Sequence, residues 1–128
     1  LVMDDDPLVR SVAAAMLAEL GYRVALATDG AEAVTLFRQA TAEGRRFSLV
    51  ILDLTVPGGM GGRQALPHLL ALDPQARVVV SSGYSSDPIL AEPRRHGFAA
   101  VVLKPYDLAE LGRVLDRVLG NGAWQKSA

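Results

Sequence analysis

Residues 48–62 read SLVILDLTVPGGMGG. An apolar run, Leu49-Val50-Ile51-Leu52, ends abruptly in one acid, Asp53, and Pro57 and four glycines follow shortly after. A continuous run of leucine and β-branched residues, without alternation, fits a strand covered on both faces, as in a parallel sheet. What comes after the strand separates two classes of protein. A glycine loop that cradles phosphate should follow the first strand and open a helix, whereas here an acid stands first and the glycines come later.

Four more apolar runs flank this one, giving strands expected at 1–3, 23–27, 49–52, 77–80 and 100–103. Helical patterns lie between them. Asp6-Pro7 places a capping acid before a proline at the first helical position, and Val9, Val12, Ala13, Met16, Leu17 and Leu20 recur at helical spacing until Gly21. Asp29 with Glu32 resembles a capping box ahead of Ala33, Val34 and Phe37. A third helix is expected over 62–72 and a fourth from Asp87-Pro88 to His96. The last opens at Asp107 with Glu110 and buries Leu108, Leu111, Leu115 and Leu119. Pro93 should kink or shorten the fourth helix, and Pro67 the third, because each removes a backbone donor. Five strand–helix units with short connections wind into an open parallel sheet with helices on both faces, an α/β/α domain over residues 1–119. The tail 120–128 is polar and small apart from Trp124 and reads as a linker or frayed end.

Composition narrows the partners. A formal net charge of −1 leaves no basic footprint for nucleic acid, and the absence of cysteine excludes disulfides and thiolate metal sites. No apolar run approaches the ~18 residues of a membrane helix, so the domain is expected to be soluble and cytoplasmic. The chain opens at Leu1 inside a strand, which suggests a piece of something longer.

In an open parallel sheet, ligands sit beyond the carboxyl ends of the strands. Those ends deliver Asp4, Asp5 and Asp6 after the first strand, Asp53 after the third, Ser81 and Ser82 after the fourth, and Lys104-Pro105 after the fifth. Capping uses only Asp6, so Asp4 and Asp5 need another role. Gathered carboxylates repel unless a cation is present. Oxygen ligands with room for water suit Mg²⁺, while His68 and His96 fall on helices away from the strand ends. A lysine and a hydroxyl opposite such a metal would meet an incoming phosphoryl group. Singly these residues say little. Together they describe phosphoryl transfer onto a carboxylate.

The sequence resembles the receiver domain of two-component response regulators over nearly its whole length. The matching segments are VMDDDP, LDLTVPGG around Asp53, SSGY around Ser82 and LKPY around Lys104. The interval of 22 residues from Ser82 to Lys104 fits the family and selects Ser82 over Ser81. The resemblance implies a flavodoxin-like strand order 2-1-3-4-5. It implies that Asp53 accepts a phosphoryl group from phosphohistidine on a histidine kinase or histidine phosphotransfer domain. It also implies that Asp5 binds Mg²⁺ directly, Asp4 largely through water, and the Thr55 backbone carbonyl as a further ligand. Lys104, aimed by a cis peptide to Pro105, would pair with the phosphoryl group, and the Ser82 hydroxyl would bond it. Thr55 and Tyr84 would flank the path of attacking water. The domain would signal rather than act as an enzyme on other substrates. DLTVPGGMGG and SSGYSSDP are most similar to receivers fused to hybrid histidine kinases, and a weak or phosphorylation-dependent dimer is a further expectation.

Three departures stand out. Val101 occupies the position where relatives often carry a switching aromatic, Pro93 interrupts the fourth helix, and the Gly-Gly-Met-Gly-Gly segment replaces a shorter loop. Rival readings are a phosphohydrolase of the haloacid dehalogenase type, a nucleotide- or flavin-binding module, and a receiver used only for docking. The first wants an acid where Thr55 stands, and the second wants glycines after the first strand.

Overall fold

A computed structural model of the chain describes residues 1–83 and 87–120. Five strands, β1 (Val2–Met3), β2 (Leu26–Ala27), β3 (Val50–Asp53), β4 (Val78–Ser82) and β5 (Ala100–Leu103), form one parallel sheet in the order β2-β1-β3-β4-β5. The helices are α1 (Pro7–Glu19), α2 (Gly30–Ala42), α3 (Gly62–Leu72), α4 (Pro88–Ala91) and α5 (Leu108–Val118), with a 3-10 turn at Pro93–His96. This is the doubly wound five-stranded fold expected from the sequence.

The two layers of helix follow from the pleat. Met3, Val50, Leu52, Val78 and Val80 point to one face, where they meet Ala33, Val34 and Phe37 of α2, Ala65, Leu66 and Leu69 of α3, and Ile89 of α4. Val2, Ile51, Val79, Ala100 and Val102 point to the other, against Ala13 and Leu17 of α1 and Leu111, Val114 and Leu115 of α5. Strands buried on both sides have no polar face, which is why their sequences run apolar without alternation.

The capping acids lie where their spacing put them. Asp6 accepts from the Leu8 amide at 2.9 Å, Asp29 from Glu32 at 2.9 Å, and Asp107 from Glu110 at 3.0 Å. Glu32 reaches back to the Thr28 amide at 2.7 Å, one residue before the cap itself.

Several boundaries differ from expectation. β2 spans two residues and not 23–27, because its ladder is set by β1, where Val2 and Met3 pair with Leu26 and Ala27. β3 and β4 run further than their apolar stretches. Asp53 pairs in register with Ser81, so Asp53, Ser81 and Ser82 lie within the strands and not after them. The two prolines behave differently. Pro93 ends α4 at Ala91 and starts the 3-10 turn, whereas α3 continues across Pro67. Pro67 and Arg63, whose carbonyl loses its donor, both lie on the exposed side of α3, where solvent can take the donor's place; Ile89, four residues before Pro93, is buried. Leu108 is 38% exposed, so the buried stripe of α5 begins at Leu111 and takes in Val114. Val12 of α1 is likewise 37% exposed. Among the described residues no helix is long and apolar enough to cross a membrane. Apart from Gly120, the expected tail lies outside the described residues.

The glycines after Asp53 have a packing reason. A Cβ on Gly61 would lie 2.5 Å from the Leu54 carbonyl oxygen, and one on Gly62 would lie 2.8 Å from that of Asp53. Neither fits, so the loop can fold back over the end of β3 only as glycine. Gly58 adopts φ +74°, and Met60 caps the far side of the loop by accepting from the Gly30 amide at 2.7 Å. The segment thus ties β3 to the start of α2.

Candidate functional site

The carboxyl edge of the sheet gathers the charged residues. β1 hands over to Asp4 and Asp5, β3 ends in Asp53, and β5 is followed directly by Lys104. Asp4, Asp5 and Asp53 each offer a carboxylate oxygen within 4.8 Å of the others. Asp4 is fully buried, and both of its oxygens are engaged: Oδ1 accepts from the Asp6 amide at 2.9 Å and Oδ2 from Lys104 Nζ at 3.0 Å. Asp5 is exposed, with its carboxylate on the solvent side of the cluster. Lys104 Nζ also lies 3.3 Å from Asp53 Oδ1 and so bridges the two buried acids. Its peptide bond to Pro105 is cis.

One ammonium shared among three carboxylates leaves excess negative charge. Burial raises the Asp53 carboxyl first, the Asp4 charge raises it further, and Lys104 opposes both; the outcome is about 6 instead of 3.8. Burial alone would lower the Lys104 ammonium, but its bond to Asp4 and the Asp53 charge outweigh that and raise it. Lys104 therefore stays charged, while the Asp53 carboxyl is held above the ordinary carboxylate range.

The other sequence candidates fall at different depths. Ser82 is buried at the end of β4, and its carbonyl accepts from the Lys104 amide at 3.0 Å. Thr55 is exposed in the loop beyond β3. Val101 packs among the partly buried residues on the α2–α4 side of the sheet. Tyr84 lies outside the described residues. His68 is on α3 and His96 in the 3-10 turn, away from the acid cluster.

Two contributors escaped the sequence reading. Arg10, one turn into α1, donates from Nη1 to the Asp4 carbonyl at 2.7 Å and brings a second cation beside the acids. Tyr106, two residues beyond Lys104, is 8% exposed and shares a 2.7 Å hydrogen bond between its hydroxyl and Ser81 Oγ. The SSGY and LKPY segments held both partners, but only the register of β4 against β5 makes them neighbours.

A parallel α/β domain with buried acids and a lysine converging at its carboxyl edge belongs to the class that handles phosphoryl groups through a carboxylate. The response regulator receiver domain family matches residues 1–116, and the chain is a member of that family, a signalling domain of two-component systems. Among curated relatives it is 27% identical to the chemotaxis protein CheY of Thermotoga maritima, over 92% of this chain and 94% of that protein. It is 32% identical to the transcriptional regulatory protein ZraR of Escherichia coli O157:H7, over 94% of this chain but only 26% of ZraR, so it spans about a quarter of that relative. Among solved structures it resembles the receiver domain of the sensor histidine kinase PA1611 of Pseudomonas aeruginosa, with TM-score 0.77 and 28% identity over 94% of this chain and 95% of that one. That structure holds a magnesium ion in its active-site cleft. The docking-only and phosphohydrolase readings are not favoured.

Proposed function

We propose that Asp53 is the phosphoacceptor of this receiver and takes its phosphoryl group from phosphohistidine on a histidine kinase or histidine phosphotransfer domain. The observation that carries this is the convergence of Asp53, Asp4, Asp5 and Lys104 at adjoining strand ends, with Lys104 3.3 Å from Asp53. An Asp53 carboxylate oxygen attacks phosphorus as the bond to the donor imidazole breaks. Little covalent work is asked of the protein; positioning and charge neutralisation dominate. Lys104 exchanges its contact with Asp53 for one with a phosphoryl oxygen and keeps its bond to Asp4. The Ser82 hydroxyl donates to a second oxygen.

The donor set fits Mg²⁺. Three carboxylates within 4.8 Å carry more negative charge than Lys104 balances, and all the donors are hard oxygens. Asp5, Asp53 and the Thr55 carbonyl would hold the ion directly. Asp4, already bonded through both oxygens, would act largely through water. When bound, the ion supplies charge neutralisation for the transferring group. Thr55 and Tyr84 set the lifetime of the phosphorylated form. Val101 in place of an aromatic means that the change is relayed without a ring flip at that position. The domain promotes its own phosphorylation and dephosphorylation only, works in the cytoplasm within a hybrid histidine kinase or a related phosphorelay, and contacts neither nucleic acid nor membrane itself. Residues 120–128 serve as its C-terminal tail or linker, and any dimer is weak or phosphorylation-dependent.

Incubation with a small phosphodonor and Mg²⁺, followed by intact mass, tests the central assignment. The expected result is a gain of one phosphoryl group that Asp53→Ala abolishes. No gain in the wild type, or an undiminished gain in the variant, refutes it.

A further inference from the structure

The apolar cluster on the α1/α5 side of the sheet has a polar spot at its edge. There Ser81 of β4, fully buried, meets the Tyr106 hydroxyl at 2.7 Å, within a cluster otherwise made of Val2, Ile51, Val79, Val102, Leu111 and their neighbours. Replacing both partners of a buried hydrogen bond by apolar groups of the same shape is close to neutral for stability, so stability alone does not call for a Ser–Tyr pair here. What the pair adds is direction. Val78, Val79 and Val80 precede Ser81 in β4, and another valine with a phenylalanine opposite would have filled the same space without fixing an angle.

The surrounding bonds show what direction is fixed. Ser81 pairs in register with Asp53, and its carbonyl accepts from the Leu54 amide at 2.8 Å, so Ser81 is tied to the strand that carries Asp53. The next residue, Ser82, accepts from the Lys104 amide at 3.0 Å. The chain then leaves the sheet through exposed Pro105, returns to the interior at Tyr106, and enters α5 at its cap, Asp107. Lys104 is therefore held from both sides by consecutive residues of β4, through its own amide to Ser82 and through Tyr106 to Ser81. We infer that Ser81 and Tyr106 are a positioning pair that fixes the Lys104 ammonium between Asp4 and Asp53. This rests on the proposed role of Asp53 as phosphoacceptor and Lys104 as partner of the phosphoryl group. The pair touches no reacting atom and acts only through the lysine.

The test combines phosphorylation kinetics with a signal from the lysine itself. The chain has two lysines, Lys104 and Lys126, so ε-carbon-labelled lysine gives two NMR signals, and the Lys104 signal reports its surroundings in metal-free protein. Tyr106→Phe and Ser81→Ala should each move the Lys104 signal toward that of free lysine and slow phosphorylation by a small phosphodonor by roughly fivefold or more, the scale of a modest misplacement of a reacting group. The double variant should be no slower than the slower single variant, and Ser81→Thr, which keeps the hydroxyl, should restore both readouts. Wild-type rates with an unmoved Lys104 signal in both single variants overturn the inference, as do multiplicative losses in the double variant. If Tyr106→Phe fails to fold, Ser81→Ala and Ser81→Thr carry the same comparison. A wild type that takes no phosphoryl group refutes the proposed function instead, and the lysine signal still decides the positioning.

Discussion

Asp53→Asn removes a charge that the fold holds at a cost, and the size of that cost follows from the site. The Asp53 carboxyl stands at about 6 in the folded chain against 3.8 without its surroundings. At 1.36 kcal/mol per pKa unit the ionised form costs about 3 kcal/mol. The side chain is only 5% exposed, so little solvent screening reduces this figure. Between the two pKa values the folded state keeps a proton that the unfolded chain has released. The folded state binds more protons there, and stability falls as pH rises. The cost is absent below the unfolded value and fully present above the folded one.

Asn keeps the shape and a hydrogen-bonding oxygen toward Lys104, which retains Asp4 at 3.0 Å. The variant should therefore be more stable than the wild type by about 2–3 kcal/mol near pH 7.5 in metal-free buffer, with the gap closing toward pH ~4. Urea denaturation of both proteins across that range measures it. Equal stability near pH 7.5, or a gap that does not change with pH, refutes the reasoning. Mg²⁺ added near pH 7.5 should narrow the gap, since a ligand at about a hundred times its Kd stabilises the protein it binds by about 2.7 kcal/mol. A gap indifferent to Mg²⁺ removes Asp53 from the metal site.

Asp5→Ala should weaken Mg²⁺ binding by about tenfold or more, which is ~1.4 kcal/mol, while leaving the fold intact, because Asp5 is exposed; titration calorimetry returning the wild-type affinity rejects that role. Lys104→Met leaves Asp4 and Asp53 facing each other and should destabilise the protein by about 3 kcal/mol near neutral pH. Adding Asp53→Asn to it should recover part of the loss, and thermal melts that show no recovery contradict the shared-cation picture. Gly61→Ala places a Cβ 2.5 Å from the Leu54 carbonyl oxygen and should cost about 1–3 kcal/mol in a urea melt. A silent substitution there means the loop has room that its backbone does not show.

The parts of this fold legible in the sequence are those with local causes. Asp6, Asp29 and Asp107 cap helices because a short acid reaches the next free amides, and that needs nothing beyond three or four residues. The valine and leucine runs mark strands because burial on both faces removes every polar position. What stayed hidden depends on a second segment. The extent of β2 is set by its ladder with β1, not by Val24 and Ala25. Pro67 and Pro93 look alike in sequence, yet α3 runs through the first and α4 ends before the second.

The site divides in the same way. Each strand end names its own residues, so Asp4, Asp5, Asp53 and Lys104 can be assembled from three local readings and one topology. The interval from Ser82 to Lys104 also has a physical counterpart, since the Lys104 amide bonds the Ser82 carbonyl directly. The same register that makes those two neighbours makes Ser81 and Tyr106 neighbours on the opposite pleat, one residue back on β4 and two residues on from the lysine. An interval that selects one serine carries no mark for the other. Spacing selects Ser82 for the proposed phosphoryl contact, and only the pleat assigns the other serine to hold the loop that carries the lysine.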